Sequence, residues 1–486
     1  MTYLIEGGEA VDVQGEFDRD RAGGREFGGG VDGVVQHGAA ADRVLLRVYA
    51  GRFGPAQAER LLWRAGFGPR RGEAARLAKK GLRGAVHSLT RPPAAKLVGP
   101  EPRDQRGLPL APFDASGHDH MWWLDRMVRS NQQLVERMTL VWHDWFATQR
   151  VGGGSQRRII DQNELFRRRA LGSFSRLLEE VTKDPAMLLW LNGNRNTVRS
   201  PNENYARELM ELFTLGVNRG YCEDDIREQA RALTGWRNRR AAGVGAYDFH
   251  YEPRLHDDGM KTVFGKSGNF SWQDACLLCI QHPNHASFFV RKLWSYFIPT
   301  APPAATQRAL EAAYRKRHEI RPVVEAILKH PLLYEGPRMV KPPIVYTAGL
   351  LRGAGRGVDT EAWTWLCANA GQQLFFPPNV SGWNDERWLD TATYLARWDI
   401  AGRVTRPAAI DPGKVQAPFD ADKLLERALH FWGDPPLSAG TRRVLRAYTH
   451  RALATANSSW KRKSYPALIE NSLRHLIAVS PDLQTC

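Results

Sequence analysis

Ser200-Pro201-Asn202-Glu203-Asn204-Tyr205-Ala206-Arg207-Glu208-Leu209-Met210-Glu211-Leu212-Phe213-Thr214-Leu215-Gly216 has the marks of one capped helix. Ser200 suits an N-cap, and Pro201 falls at the first helical position, where its missing N–H costs nothing. Glu203, three residues after Ser200, completes a capping box, and Gly216 supplies a left-handed C-terminal cap. At about 100° per residue, Tyr205, Leu209, Leu212, Phe213 and Gly216 share a core face, with Asn204, Glu208, Glu211 and Leu215 in a stripe at its edge. Glu203 and Arg207 lie opposite as an i,i+4 pair. Asn204, Glu208 and Glu211 have no such local explanation. Carboxylates at the rim of an apolar face can bind metal, act as acid or base, or clamp an arginine, and the clamp is the commoner outcome. A second helix, Glu223–Thr234, begins behind Cys222 and closes a helical hairpin.

Outward from this hairpin the pattern is helical. Ala56–Trp63 opens a helix with Leu61-Leu62-Trp63 as core, and a Pro-rich linker occupies Arg91–Pro112. Met121–Phe146 reads as one buried helix that carries His143 inside, where a satisfied core histidine outweighs a ligand. Residues 157–192 add two helices. Strand patterns are confined to Tyr247–Tyr251 and Thr262–Phe264, which flank His256-Asp257-Asp258-Gly259-Met260-Lys261, a loop with the composition of a binding loop. Phe375-Phe376-Pro377-Pro378-Asn379-Val380-Ser381-Gly382-Trp383 cannot be helical and either plugs the core or lines a pocket. The phrases around His330-Pro331 and Ser480-Pro481, and more loosely Asp184-Pro185, repeat one logic: an apolar helix ended by X-Pro. The expected fold is mostly α, a large multi-helix single domain with few or no short strands. Residues 1–45, with ten glycines, are expected to be a flexible tail. Residues 46–403 form the core domain, and 404–486 a helical extension of it.

Composition agrees. Hydrophobic residues make up 43% of the 486, with sixteen tryptophans, enough for a large core. No apolar run reaches membrane-spanning length. The first residues lack a basic segment followed by an apolar one, so a cytoplasmic location is the default. The net charge of +16 does not by itself point to nucleic acid, since arginines are spread along the chain and no nucleic-acid module accompanies them. Five cysteines do not make a disulfide framework. Cys276, Cys279, His282 and His285 imitate a zinc cluster, but ligands three apart on one helix wind around it, and structural zinc sites draw on two separated elements.

Together, Leu61–Gly68, Trp142–Thr148, Pro201–Gly216, Ala232–Trp236, His256–Lys261, Arg291-Lys292-Leu293-Trp294, Gly371-Gln372 and Pro377–Trp383 resemble one family, the large bacterial domain of unknown function 1800 (DUF 1800). The match is ordered and spans roughly residues 50–400, with the Ser480-Pro481 phrase extending it. The resemblance implies a mostly helical single domain without an established activity. It also implies proteins that are often exported and often encoded beside a sulfatase-like protein, a candidate partner. This chain has Asp144 and Trp145 where the family phrase usually has Asn and His, which removes a second imidazole beside His143.

Two functions follow as expectations. One is a metal-assisted hydrolase, with His143, Glu208, Glu211 and His256 around a divalent Zn, Mn or Fe and Asn204 alongside. Asp144 and Asp257 would assist, and Arg207, Lys261 or Arg291 would hold an anionic substrate near Asn379 and Trp383. The other, placed slightly ahead, is a non-catalytic helical scaffold or binding protein in which arginines absorb Glu208 and Glu211.

Overall fold

The chain builds its helices from amphipathic stretches closed by Pro, Gly and Asp. Pro55–Arg64 starts with Pro at its first position and buries Ala58, Leu61, Leu62, Trp63 and Arg64. The X-Pro phrases are realised three times in the same way. Phe174–Thr182 ends before Pro185–Trp190, Ile320–Lys329 before Pro331–Glu335, and Ser459–Val479 before Pro481–Gln484. In the first two cases the residue before proline caps the new helix: Asp184 accepts from the Met187 N–H at 3.0 Å and His330 from the Leu332 N–H at 3.2 Å.

The computed structural model describes residues 46–151, 155–242 and 245–486. The expected tail, residues 1–45, lies outside them. Among the described residues are twenty-two α-helices and two two-stranded antiparallel ribbons, so the protein is mostly α. No described helix is long and apolar enough to cross a membrane. Both strand candidates are present, as Gly245–Tyr251 and Lys261–Val263, and each pairs with a strand the sequence pattern hides, Trp236–Ala241 and Lys266–Gly268. Trp236-Arg237-Asn238-Arg239-Arg240 lacks alternation because its ribbon turns only its first residue into the core.

Two apolar cores organise the rest. One gathers Trp142, Trp145, Phe146, Phe174, Phe213 and Phe289 around the central hairpin. The other forms around Pro343–Ala354 and takes in Trp123, Trp363, Phe375, Trp383 and the apolar side of Ser459–Val479. The Phe375–Trp383 loop is a plug: Phe375 and Trp383 are buried, while Asn379 and Ser381 stay exposed.

Buried arginines are a recurrent device, and several collect carbonyls. Arg64 donates to the carbonyls of Phe297 and Pro337 and to a backbone carboxylate oxygen of Cys486. Arg397 donates to those of Trp388 and Lys341, while Arg352 joins the carbonyls of Gly68 and Val128 to the Glu73 carboxylate at 2.9 Å. A delocalised guanidinium with five N–H groups can close several loop ends at once.

Several sequence expectations are corrected. Met121–Phe146 is two helices, His118–Arg129 and Gln133–Trp145. They part at Ser130-Asn131, where the Asn131 amide bonds the backbone of Ala94 and Lys96 and pins the Pro-rich linker instead of continuing the helix. Residues 157–192 hold three helices, not two. The capping box at Ser200 does not form: Ser200 bridges to Thr197, and Asn202 is held by Asn196. The helix starts at Asn204, and Glu203 turns to Arg207 instead.

That helix also changes pitch. After Asn204–Glu208, residues Leu209–Thr214 form a π-turn, with the Leu215 N–H reaching back five residues to Met210 at 2.8 Å. The wider turn rotates the faces. Leu215, expected at the edge, becomes fully buried, and Leu212, expected in the core, is half-buried. Gly216 takes the expected left-handed conformation at φ 95°.

Candidate functional site

The end of the π-turn leaves three successive carbonyls without helical partners, and three distant side chains satisfy them. Lys292 donates to Leu212 at 2.8 Å, the Trp145 indole to Phe213 at 3.1 Å, and His285 Nδ1 to Thr214 at 2.9 Å. Because a carbonyl only accepts, His285 carries its proton on Nδ1, and Nε2 accepts from the Tyr314 hydroxyl at 2.9 Å. His285 is therefore a cap, and it belongs to no zinc cluster.

Around this terminus the distant phrases meet. Asp144 Oδ2 accepts from the Tyr296 hydroxyl at 2.7 Å, and Oδ1 accepts from the Trp383 backbone N–H at 2.9 Å. Gly382, at φ 92°, makes that approach possible, since a Cβ there would stand 2.3 Å from Asp144 Oδ1. Lys292 lies four residues before Tyr296 and so on the same side of the helix end. Its ammonium is 4.6 Å from the Trp145 ring centroid and 5.6 Å from that of Phe288. Burial pushes Lys292 down to about 8, with Asp144 opposing. Burial raises Asp144 against the hydrogen bonds from Trp383 and Tyr296, and raises Tyr296 well above its usual range. The result is a half-buried carboxylate, phenol and amine with displaced proton affinities, a set able to hold or pass a proton.

His143 lies beside this cluster, fully buried among Trp123, Phe375, Trp383 and Phe166 at ring distances of 5.3, 5.6, 5.5 and 6.3 Å. It is a core histidine but not a satisfied one, for neither ring nitrogen has a hydrogen-bond partner among the described residues. Burial lowers it to about 3, so it is neutral at ordinary pH.

The other sequence-derived candidates fall elsewhere. Asn204 is exposed. Arg207 is a hub, 2.7 Å from Glu223, 3.2 Å from Glu203 and 3.5 Å from Glu211, and these carboxylates hold its proton affinity up. Glu208 has no ion pair among the described residues; burial and neighbouring Glu211 raise it. In the loop, Asp257 is chelated by Arg231 at 2.7 and 3.2 Å, which lowers it. His256 Nδ1 is 3.1 Å from the Thr234 carbonyl. Lys261 is buried and donates to the Asp257 and Gly259 carbonyls, closing the loop on itself. Arg291 is exposed and bonds Gln307 at 3.1 Å. Asn379 makes a local turn to the Ser381 N–H.

The structure thus brings His143 and Trp383 together, and Arg207 with Glu211, but no three of His143, Glu208, Glu211 and His256 present ligand atoms within 4.8 Å of one another. Among the described residues, Asp104, His118 and Glu361 do so. Their atoms are occupied. Asp104 accepts from the Arg106 and Leu108 N–H groups at 2.9 and 2.7 Å and from the Arg106 guanidinium. His118 Nδ1 accepts from the Ala111 N–H at 3.0 Å, which leaves the proton on Nε2, facing Glu361 at 3.5 Å. This cluster fastens the linker as it stands.

Sequence reading missed Lys292 and Tyr296. Lys292 was within a family-like phrase, and its i,i+4 spacing to Tyr296 was legible, but nothing local pairs either with Asp144.

Fold and site define a large, mostly α protein with ribbon appendages and a half-buried Asp–Tyr–Lys cluster where its loops converge. The chain matches the family described as "Protein of unknown function (DUF1800)" over residues 60–485, and it belongs to that family. No curated protein and no solved structure matches it.

Proposed function

We propose that this protein is a non-catalytic helical scaffold that binds a partner. The observation that carries this reading is the Arg207 hub: the helix that presents the candidate carboxylates spends Glu211, with Glu203 and Glu223, on one guanidinium. Asp257 is absorbed by Arg231 in the same manner. Carboxylates chelated by arginine are poorly placed to take a metal, because the cation already present competes for the same lone pairs. The sulfatase-like protein suggested by the family resemblance is the partner this reading would test first, by pull-down at rising salt.

The alternative, a metal-assisted hydrolase acting on an anionic substrate, would require His143, Glu208, Glu211 and His256 to regroup. A different observation favours chemistry of another kind: the Asp144–Tyr296–Lys292 cluster has the displaced proton affinities of an acid–base site. Metal analysis of the parent and of a Glu208→Gln/Glu211→Gln variant separates the scaffold from the metalloenzyme. Modification of Lys292 by an amine-reactive probe near pH 8 tests the acid–base reading: rapid labelling would favour it, and protection would favour the scaffold.

A further inference from the structure

Trp365, Trp398 and Trp460 are the exposed tryptophans among the described residues, at 52, 41 and 63%. The first two line one cleft of about 490 Å³, together with Asp399, Arg403, Arg406 and His475. Three elements build it. Ala362–Asn369 carries Trp365, Thr391–Thr405 carries Trp398, Asp399 and Arg403, and Ser459–Val479 carries His475. The His475 ring packs against Trp398 at 4.4 Å and fixes the indole.

The cleft's charged groups are unspent. The guanidinium groups of Arg403 and Arg406 have no hydrogen bond or ion pair to the described residues, and Asp399 has no ion pair among them. A volume of this size suits a small ligand or a few units of a polymer. Two partly exposed indoles beside two guanidinium groups without partners among the described residues call for a ligand with an apolar face and an anionic substituent. Asp399 adds an acceptor for hydroxyls beside the two guanidinium groups, and an acidic pyranose carries an apolar C–H face, hydroxyls and an anionic substituent on one ring.

We propose that this cleft binds an acidic saccharide, with the C–H face of a pyranose on Trp365 or Trp398, its carboxylate or sulfate on Arg403 and Arg406, and a hydroxyl on Asp399. The inference goes beyond the reading above and shares no residue with the Arg207 hub or the Asp144 cluster, so either can fail without the other. The test is binding of the full chain, followed by intrinsic tryptophan fluorescence and calorimetry, to polygalacturonate, dextran sulfate, neutral dextran and poly(U). Polygalacturonate supplies carboxylates and dextran sulfate supplies sulfate esters, so their comparison identifies the anion. Binding to at least one of the two should fall tenfold or more in Trp365→Ala/Trp398→Ala and in Arg403→Ala/Arg406→Ala. Trp460→Ala should bind as the parent does, and neutral dextran should not bind. All substituted positions are exposed or half-buried, and circular dichroism verifies that the variants fold. Three results would overturn the proposal: no binding of either acidic polymer, binding indifferent to the two tryptophans, or poly(U) bound as tightly through the same residues.

Discussion

Lys292 donates to the carbonyl of Leu212 at 2.8 Å from a helix eighty residues further along the chain. This bond ties the end of the π-turn to the helix that also carries Tyr296, and through Tyr296 to Asp144. Lys292 pays for the position with desolvation, which is why its proton affinity falls to about 8.

The sign of the pH dependence follows. Unfolded, the amine keeps its proton up to its ordinary 10.5; folded, only up to about 8. Between those values the unfolded state binds more protons, so the stability contributed at this site rises with pH. The unfolding free energy of the parent, measured relative to Lys292→Met, should increase across that window. A flat difference would mean that the amine is not desolvated.

Gly382→Ala should lower stability by more than the roughly 1–3 kcal/mol expected of a left-handed non-glycine residue. The added Cβ would strike Asp144 Oδ1 and break the Trp383 bond. Thermal unfolding is the measurement, and Gly413→Ala, on an exposed turn with a negative φ, should leave the midpoint nearly unchanged.

His143→Phe tests the orphaned imidazole. Burying unpaired polar atoms costs about 1–3 kcal/mol per group, so an aromatic of similar shape should leave stability unchanged or raise it. His143 holds its proton only below about 3 when folded, against 6.5 ordinarily. The unfolded state therefore binds more protons between these values, and the parent loses stability as pH falls through them. The phenylalanine variant should lose less. Strong destabilisation of the variant at neutral pH would instead reveal a polar partner for His143.

Much of this was legible in the sequence, and the failures have physical causes. The X-Pro phrases, the Gly216 cap and the burial of His143 depend on residues within one or two turns, and sequence spacing registers them. The π-turn does not announce itself, because its one extra residue per turn is stabilised by side chains from 145, 285 and 292. Leu212 and Leu215 exchange places for that reason. The break at Ser130 was hidden because its cause is the Pro-rich linker some thirty-five residues earlier. Asp144 and Tyr296, 152 residues apart, meet through tertiary packing alone.

Glu208 and Glu211 should respond oppositely to loss of charge. Glu211→Gln gives up a partly exposed ion pair worth about 0.2–1 kcal/mol. Glu208→Gln removes a carboxylate that has no ion pair among the described residues and repels Glu211, so it should be neutral or slightly stabilising. Urea titrations at low and high salt would check both, with the difference shrinking as salt screens the hub.

The most direct test of the scaffold reading is elemental analysis of the purified chain beside a folded Glu208→Gln/Glu211→Gln variant. The account predicts no stoichiometric Zn, Mn or Fe in either protein. Stoichiometric metal in the parent that is lost from the variant would contradict it and return these two carboxylates to a metal centre.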